Sequence, residues 1–382
     1  MNKLIYFDNA ATTFPKPVCV QNAVNNVMLD YCANPGRSSH ELSMRAAKSV
    51  FAAREKVALL FGGKEENVVF TLNATYVINL ALKSLLKKGD HVLISDIEHN
   101  AVLRPIHTMA ENGVISYDVY TAYRDPAAQL RELEKKVKSN TALICACHHS
   151  NISNFVLPIA SIGRFCRYKG ILFLVDASQS AGTLPINVTG DCIDVLCAPA
   201  HKGLYGIPGC GFALFNHSLS DCSRISTYIE GGNGVSSALP YMPDLLPERL
   251  EAGTLPLPAI CSLEAGIDFI QKISQKQILE KETSICHYLR KGLRNFNSVT
   301  VHSDTDGPIL LFSVKDIPSE EIAARLDSQK ICVRAGLHCA PLAHKKLKTP
   351  ESGAVRISLG AFNTLEQAEY FLWALRKSIR KR

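Results

Sequence analysis

Between residues 67 and 215 short apolar runs alternate with longer amphipathic ones, and this rhythm limits the fold more than any other feature of the chain. "NVVFT", "HVLISD", "VISYDVY", "TALICAC", "ILFLVDAS", "DVLCAPA" and "CGFALF" read as strands. "ATYVINLALKSLLKKG", "AVLRPIHTMAENG", "DPAAQLRELEKKVKSN" and "LPIASIGRFCRYKG" read as the helices between them. Strands apolar on both sides need cover on both sides, so the pattern predicts an α/β fold with a mostly parallel sheet between helical layers. Upstream, residues 38–61 predict an amphipathic helix, with Ser38 and Glu41 as a capping box and Gly62-Gly63 as the stop.

After about residue 260 the rhythm changes. A helix at 274–296, strands near 299–302 and 309–314, a helix at 318–328, strands at 331–334 and 354–359 and a helix at 364–380 predict a smaller α+β unit. A chain of 382 residues is long enough for two domains. The expected division is 15–260 for the large α/β domain, and 1–14 with 261–382 for the small one. The Pro-rich segment "SSALPYMPDLLPERLEAGTLPLP" is long enough to expect a functional or interfacial role.

Composition narrows the function classes. Hydrophobic residues at 47% and charged residues at 20% are ordinary for a globular protein. The net charge of +7 is mild and sits partly in the tail "RKSIRKR". No basic stretch interleaved with aromatics points to nucleic acid. No apolar run approaches the ~18 residues of a membrane span, and the N-terminus does not read as a signal peptide. The 13 cysteines are odd in number and many fall in strand-like runs. Reduced thiols and a cytoplasmic location are therefore expected, not a disulfide framework.

Ligands of such sheets bind beyond the carboxyl ends of the strands. There "TLNAT" opens a helix whose first N–H groups, with the Thr75 hydroxyl, make an anion site. "DIEHNA" places His99 past a strand. "VDASQSAG" ends a very apolar strand with Asp176, an acid that needs a partner. "APAHKGLYG" places Lys202 after another apolar run. Singly these read as a capped helix, a packing His, a paired acid and a surface Lys. Together they match what pyridoxal phosphate requires: a phosphate cradle, a stacking ring, an acid for the ring nitrogen and a Schiff-base Lys. Farther on, "VRAGLHCAPLAHKK" puts Cys339 in a loop bracketed by Gly336 and Pro341, among Arg334, His338, His344 and Lys345. Nearby cations raise a thiol's reactive thiolate fraction.

"YFDNAATTFPKP", "NPGRSSH", "EHNAV", "HHSN", "VDASQS", "HKGLYG", "LEAGT", "RAGLHCAP" and "VRISLGAFNT" cover nearly the whole chain. In these stretches it resembles the class V aminotransferase family of fold-type I pyridoxal-phosphate enzymes, and within it the cysteine desulfurases and selenocysteine lyases. The resemblance implies that Lys202 holds the cofactor and moves the Cα proton. It implies that Asp176 pairs with the ring nitrogen, that His99 stacks on the ring and serves as an acid–base group, and that Asn151 and Gln179 contact the phenolic oxygen. Asn73, Ala74, Thr75 and His201 would hold the phosphate. Thr254 would reach the phosphate of a neighbouring subunit, which implies a homodimer with shared active sites. Arg356 would clamp the substrate carboxylate, and Asn9 and His40 would line the substrate pocket.

The position of Cys339 implies attack on the sulfur of a cofactor-bound cysteine, giving alanine and an enzyme persulfide, with Arg334 and His338 as the poising cations. The short loop is similar to the desulfurase group that needs a sulfur acceptor. Three departures stand out: Pro199 replaces a small hydroxyl residue, Asn73-Ala74-Thr75 replaces Gly-Thr-Thr, and Asn154-Phe155 replaces Gly-Thr. A selenocysteine lyase, a transaminase or epimerase, and a scaffold without chemistry are the other readings. Cys339 argues against the second of these, and retention of Lys202 and Asp176 against the third. "CACHH" does not suit a metal, because alternation puts Cys145 and Cys147 on one face and His148 on the other. A Rossmann reading lacks its glycine signature.

Overall fold

The computed structural model describes residues 4–36, 38–303, 305–349 and 351–380. Arg37 of "NPGRSSH" and the last two residues of the basic tail lie outside them. Seven strands form the large sheet in the order Val68–Thr71, Gly211–Phe215, Val195–Pro199, Leu172–Asp176, Thr141–Cys147, Asp90–Ser95, Ile115–Tyr120. All neighbours are parallel except Gly211–Phe215, which runs against both of its partners. Alternation splits each strand between two cores. Ile144, Ala146, Phe173, Val175, Leu196 and Phe212 face one, and Leu143, Cys145, Leu172, Leu174, Val195 and Ala213 face the other. This is why the strands read as unbroken apolar runs. Cys147 leaves the pattern at the strand end: it belongs to the core opposite that of Cys145, so the two thiols do not share a face.

A second sheet takes Arg334–Gly336, Ala354–Ser358, Ile309–Val314 and Val299–Val301 in antiparallel order. Its core draws Ile5 and Phe7 from the start of the chain and residues from Ile285 to Leu375. The start of the chain is held there because Ile5–Tyr6 pairs in parallel with Ile331–Cys332.

Several local expectations are corrected. The early helix spans Glu41–Phe61, and its cap is His40, whose Nδ1 accepts from Ser43 N; Ser38 plays no part. Gly62 closes it in the left-handed region, as expected. The strand expected at 331–334 is two strands, Ile331–Cys332 and Arg334–Gly336, in different sheets. Helices at Val18–Asn26, Leu257–Ile273 and Pro341–Leu347 were not read from the sequence. The second crosses residue 260, and its buried side chains as far as Ile270 join the first core.

Candidate active site

The carboxyl ends of the central strands open into a cavity. Asn73, Ala74 and Thr75 line one end, where Asn73 Oδ1 caps the helix Ala74–Leu85 by accepting from Tyr76 N at 2.9 Å. That helix start can sit so close only because residue 211 is glycine: a Cβ there would lie 2.4 Å from the Asn73 carbonyl carbon. His99, Asn151, Asp176, Gln179, His201 and Lys202 line the rest. Nine expected residues are thus brought together. Cys147, His149, Ser178 and Pro199 line the cavity as well; "HHSN" and "VDASQS" marked two of these stretches without assigning His149 or Ser178.

Burial sets the protonation states. It is the largest influence on Lys202, whose amine falls to about 8 although Asp176 pulls the other way. Burial likewise takes His99 to about 4 and His201 to about 4. His99 Nδ1 accepts from Ala101 N at 3.0 Å, so the proton of this neutral ring is assigned to Nε2. Glu98, fully buried beside it, is raised to about 7, chiefly by burial and further by Asp176. Its Oε1 accepts from Ser95 Oγ and from Cys147 N.

The cavity fits pyridoxal phosphate on its own polar atoms. Asn151 Oδ1, His149 Nδ1 and His201 Nδ1 are buried in its lining with no hydrogen-bond partner among the described residues. Buried polar atoms of this kind normally find one. A helix start for an anion, an acid for a ring nitrogen and a lysine lowered by burial to about 8 complete the set.

The remaining expected residues, Arg356, Asn9, Thr254, His40 and Cys339, are not among those that line this cavity. Arg356 is 1% exposed. Its Nη2 donates to Asp8 Oδ1 at 2.6 Å and its Nη1 to the Asn151 carbonyl at 2.9 Å, while Nε has no partner among the described residues. Arg334 stands directly opposite Arg356 across the strand pair. Its Nη2 lies 3.8 Å from Cys339 Sγ. Asn9 is saturated by Ser358 O, Asn363 Oδ1, Tyr6 O and Phe14 N, and lines a smaller cavity behind Lys202. Thr254 and His40 lie outside the main cavity, joined through Asn34 and Ser43: Asn34 Nδ2 donates to Thr254 Oγ1, and Ser43 Oγ to Asn34 O.

The Cys339 loop is tied by its backbone to segments that line the cavity. Asn100 N, at the start of the helix capped by His99, donates to the Cys339 carbonyl at 2.7 Å. Asn151 Nδ2 donates to the His338 carbonyl at 2.8 Å. One expectation fails here: His338 is not a cation. Burial first, then the field of Arg356, takes it to about 3, and burial takes His344 to about 4. Lys345 is exposed. Arg334 is therefore the cation against the thiol. The departures have structural work: Asn154 donates to Thr305 O and Ile309 O and accepts from Ile309 N, and Phe155 packs under Arg124 and Lys346.

Comparison with known proteins agrees with this geometry. The family model described as aminotransferase class-V matches residues 5–371. A probable cysteine desulfurase of Methanothermobacter thermautotrophicus is 31% identical, over 96% of this chain and 92% of that protein. Cysteine desulfurase IscS of Escherichia coli is 29% identical, over 98% of this chain and 92% of its own. The apo structure of a cysteine desulfurase from Thermococcus onnurineus superposes with a TM-score of 0.90 at 30% identity, covering 99% of this chain and 95% of that one. The match takes in the sheet, the cavity and the thiol loop alike, and so the chain belongs to the class V aminotransferase family, a family of pyridoxal-phosphate enzymes.

Proposed function

We propose that this chain is a cysteine desulfurase, which takes the sulfur of L-cysteine onto Cys339 and releases L-alanine. The balance needs no oxidant: the substrate C–S bond breaks, an S–S bond forms to Cys339 Sγ, and cysteine plus thiol become alanine plus enzyme persulfide. The observation that carries the reading is the Cys339 loop tied to Asn100 and to the cavity residue Asn151, with Arg334 against the Cys339 sulfur. The names of the relatives above support it.

Bound pyridoxal phosphate would supply an electron sink for the substrate's α-carbon. Lys202 would hold it and carry the Cα proton, since an amine near 8 is partly free base at neutral pH. Asp176 would face the ring nitrogen and His99 the ring face, where His99 offers its Nε2 proton. Asn151 and Gln179 would meet the phenolic oxygen. Asn73, Ala74, Thr75 and His201 would hold the phosphate. Arg356 would take the substrate carboxylate, with Asn9 shaping the wall behind Lys202. Thr254 and His40 would act on a neighbouring subunit's site in a homodimer; their shared polar patch, outside their own chain's cavity, supports this. The third core, joining residues 5–7 to 285–375, supports a small domain drawn from both chain ends, as in the division 1–14 with 261–382 against 15–260. The persulfide would pass to a sulfur-acceptor protein, and the many reduced thiols support a cytoplasmic setting.

The test is alanine release from L-cysteine with a reductant, in cofactor-loaded wild type and Cys339→Ser. Alanine from the wild type alone is expected. No alanine from either would sink the reading, and selenocysteine would be the next substrate.

A further inference from the structure

We infer that His344 is a positioning residue for Cys339, acting through His338 and anchored by Thr349. The inference rests on the desulfurase reading for its consequence but not for its geometry. His338 Nε2 lies 3.2 Å from the Arg334 carbonyl, which only accepts, so Nε2 carries the proton. His338 Nδ1 must then accept, and His344 Nε2, 3.1 Å away, must donate. His344 Nδ1 accepts in turn from Thr349 Oγ1 at 2.7 Å. Each ring is neutral and each tautomer is dictated by its neighbour. The ring planes are 8° from parallel and the centroids 5.3 Å apart, as an in-plane N–H···N bond between the rings requires. Both are 3% exposed.

This chain of hydrogen bonds has a load to hold. His338 and Cys339 are consecutive residues in the left-handed region, at φ 51 and 56. Side-chain-bearing residues leave that region unless neighbouring contacts over-determine it. The brace closes a ring from Arg334, the thiol's cation, through His338 to the helix Pro341–Leu347 that bears His344. It thereby sets Sγ against Arg334.

The experiment compares wild type, His344→Ala, His344→Gln and Thr349→Val as cofactor-loaded protein. Iodoacetamide labelling is followed by mass spectrometry on the peptide holding Cys339, because Cys19 and Cys32 are exposed and would also react. Alanine release is measured alongside. His344→Ala is expected to label Cys339 at least five-fold faster and to lower kcat at least ten-fold, with KM for L-cysteine unchanged. Glutamine, which restores the donor, should recover most of both, and Thr349→Val should move both two- to three-fold in the alanine direction. Labelling at the wild-type rate in Thr349→Val and in folded His344→Ala overturns the brace. So does a defect that glutamine fails to relieve. If wild type itself releases no alanine, the desulfurase reading falls while the labelling still decides the brace.

Discussion

A guanidinium as deeply buried as that of Arg356 is costly unless its charge is answered, and Asp8 answers it from the other end of the chain. Arg334 directly opposite adds repulsion that the same carboxylate offsets. Asp8→Asn keeps the shape and removes the charge, and should cost about 3 kcal/mol of stability. An unchanged urea midpoint would contradict this. Arg356→Lys loses the planar fork, and KM for L-cysteine should rise by at least about ten-fold, equal to roughly 1.4 kcal/mol. Lys202 gives a signed pH dependence. In its proposed role the neutral amine is the reacting form, and burial lowers it to about 8. Capture of pyridoxal phosphate by apo protein should accelerate as pH rises toward 8 and level off above 9, followed by absorbance; a rate that climbs unabated to pH 10.5 would count against it.

Among the elements, the start of the helix Ala74–Leu85 depends on a missing side chain in a neighbouring strand. Gly211→Ala would push a Cβ into Asn73 and Ala74. It should cost roughly 1–3 kcal/mol of strain and weaken cofactor binding several-fold, measured by titration; affinity equal to wild type would argue that the helix start is not the cradle. The seven strands were legible to within a residue or two, because each divides its apolar side chains between two cores. Lys202, Asp176 and His99 were legible because strand ends are where such sheets bind. The helix Leu257–Ile273 was not, since Pro256 and Pro258 read as loop. Proline is tolerated in a first turn, where its missing N–H is unneeded. Pro341 hid the helix that carries His344 in the same way. Asp8 was invisible as Arg356's partner because the contact spans 348 residues. The histidines around Cys339 were misread as cations because local sequence does not report burial.

For the molecule as a whole, buried titratable groups shape stability against pH. His99, His148, His149, His201, His338 and His344 are held at about 3 to 4, first by burial. Unfolded, they titrate near about 6.5. The unfolded chain therefore binds more protons between pH 4 and 6.5, and stability is lost as pH falls through that window. Glu98 and Glu282, raised by burial to about 7 and about 8, act oppositely and lose their contribution as pH rises toward those values. Six groups outweigh two. The melting temperature should fall steeply from pH 6.5 to 4 and change little from 6.5 to 8, where Lys16 and Lys202, lowered by burial to about 8, offset the two glutamates; a flat acid limb would refute this. The pairing of Ile5–Tyr6 with Ile331–Cys332 bears on how the protein is made. All seven strands of the large sheet leave the ribosome by Phe215, so the pocket around Lys202 can take shape while the first strand still waits for its mate. Arg356 and Cys339, the proposed clamp and nucleophile, come last and depend on that mate. A chain cut short before residue 331 is thus left without either, and the cell gains a catalyst only from messages read to the end.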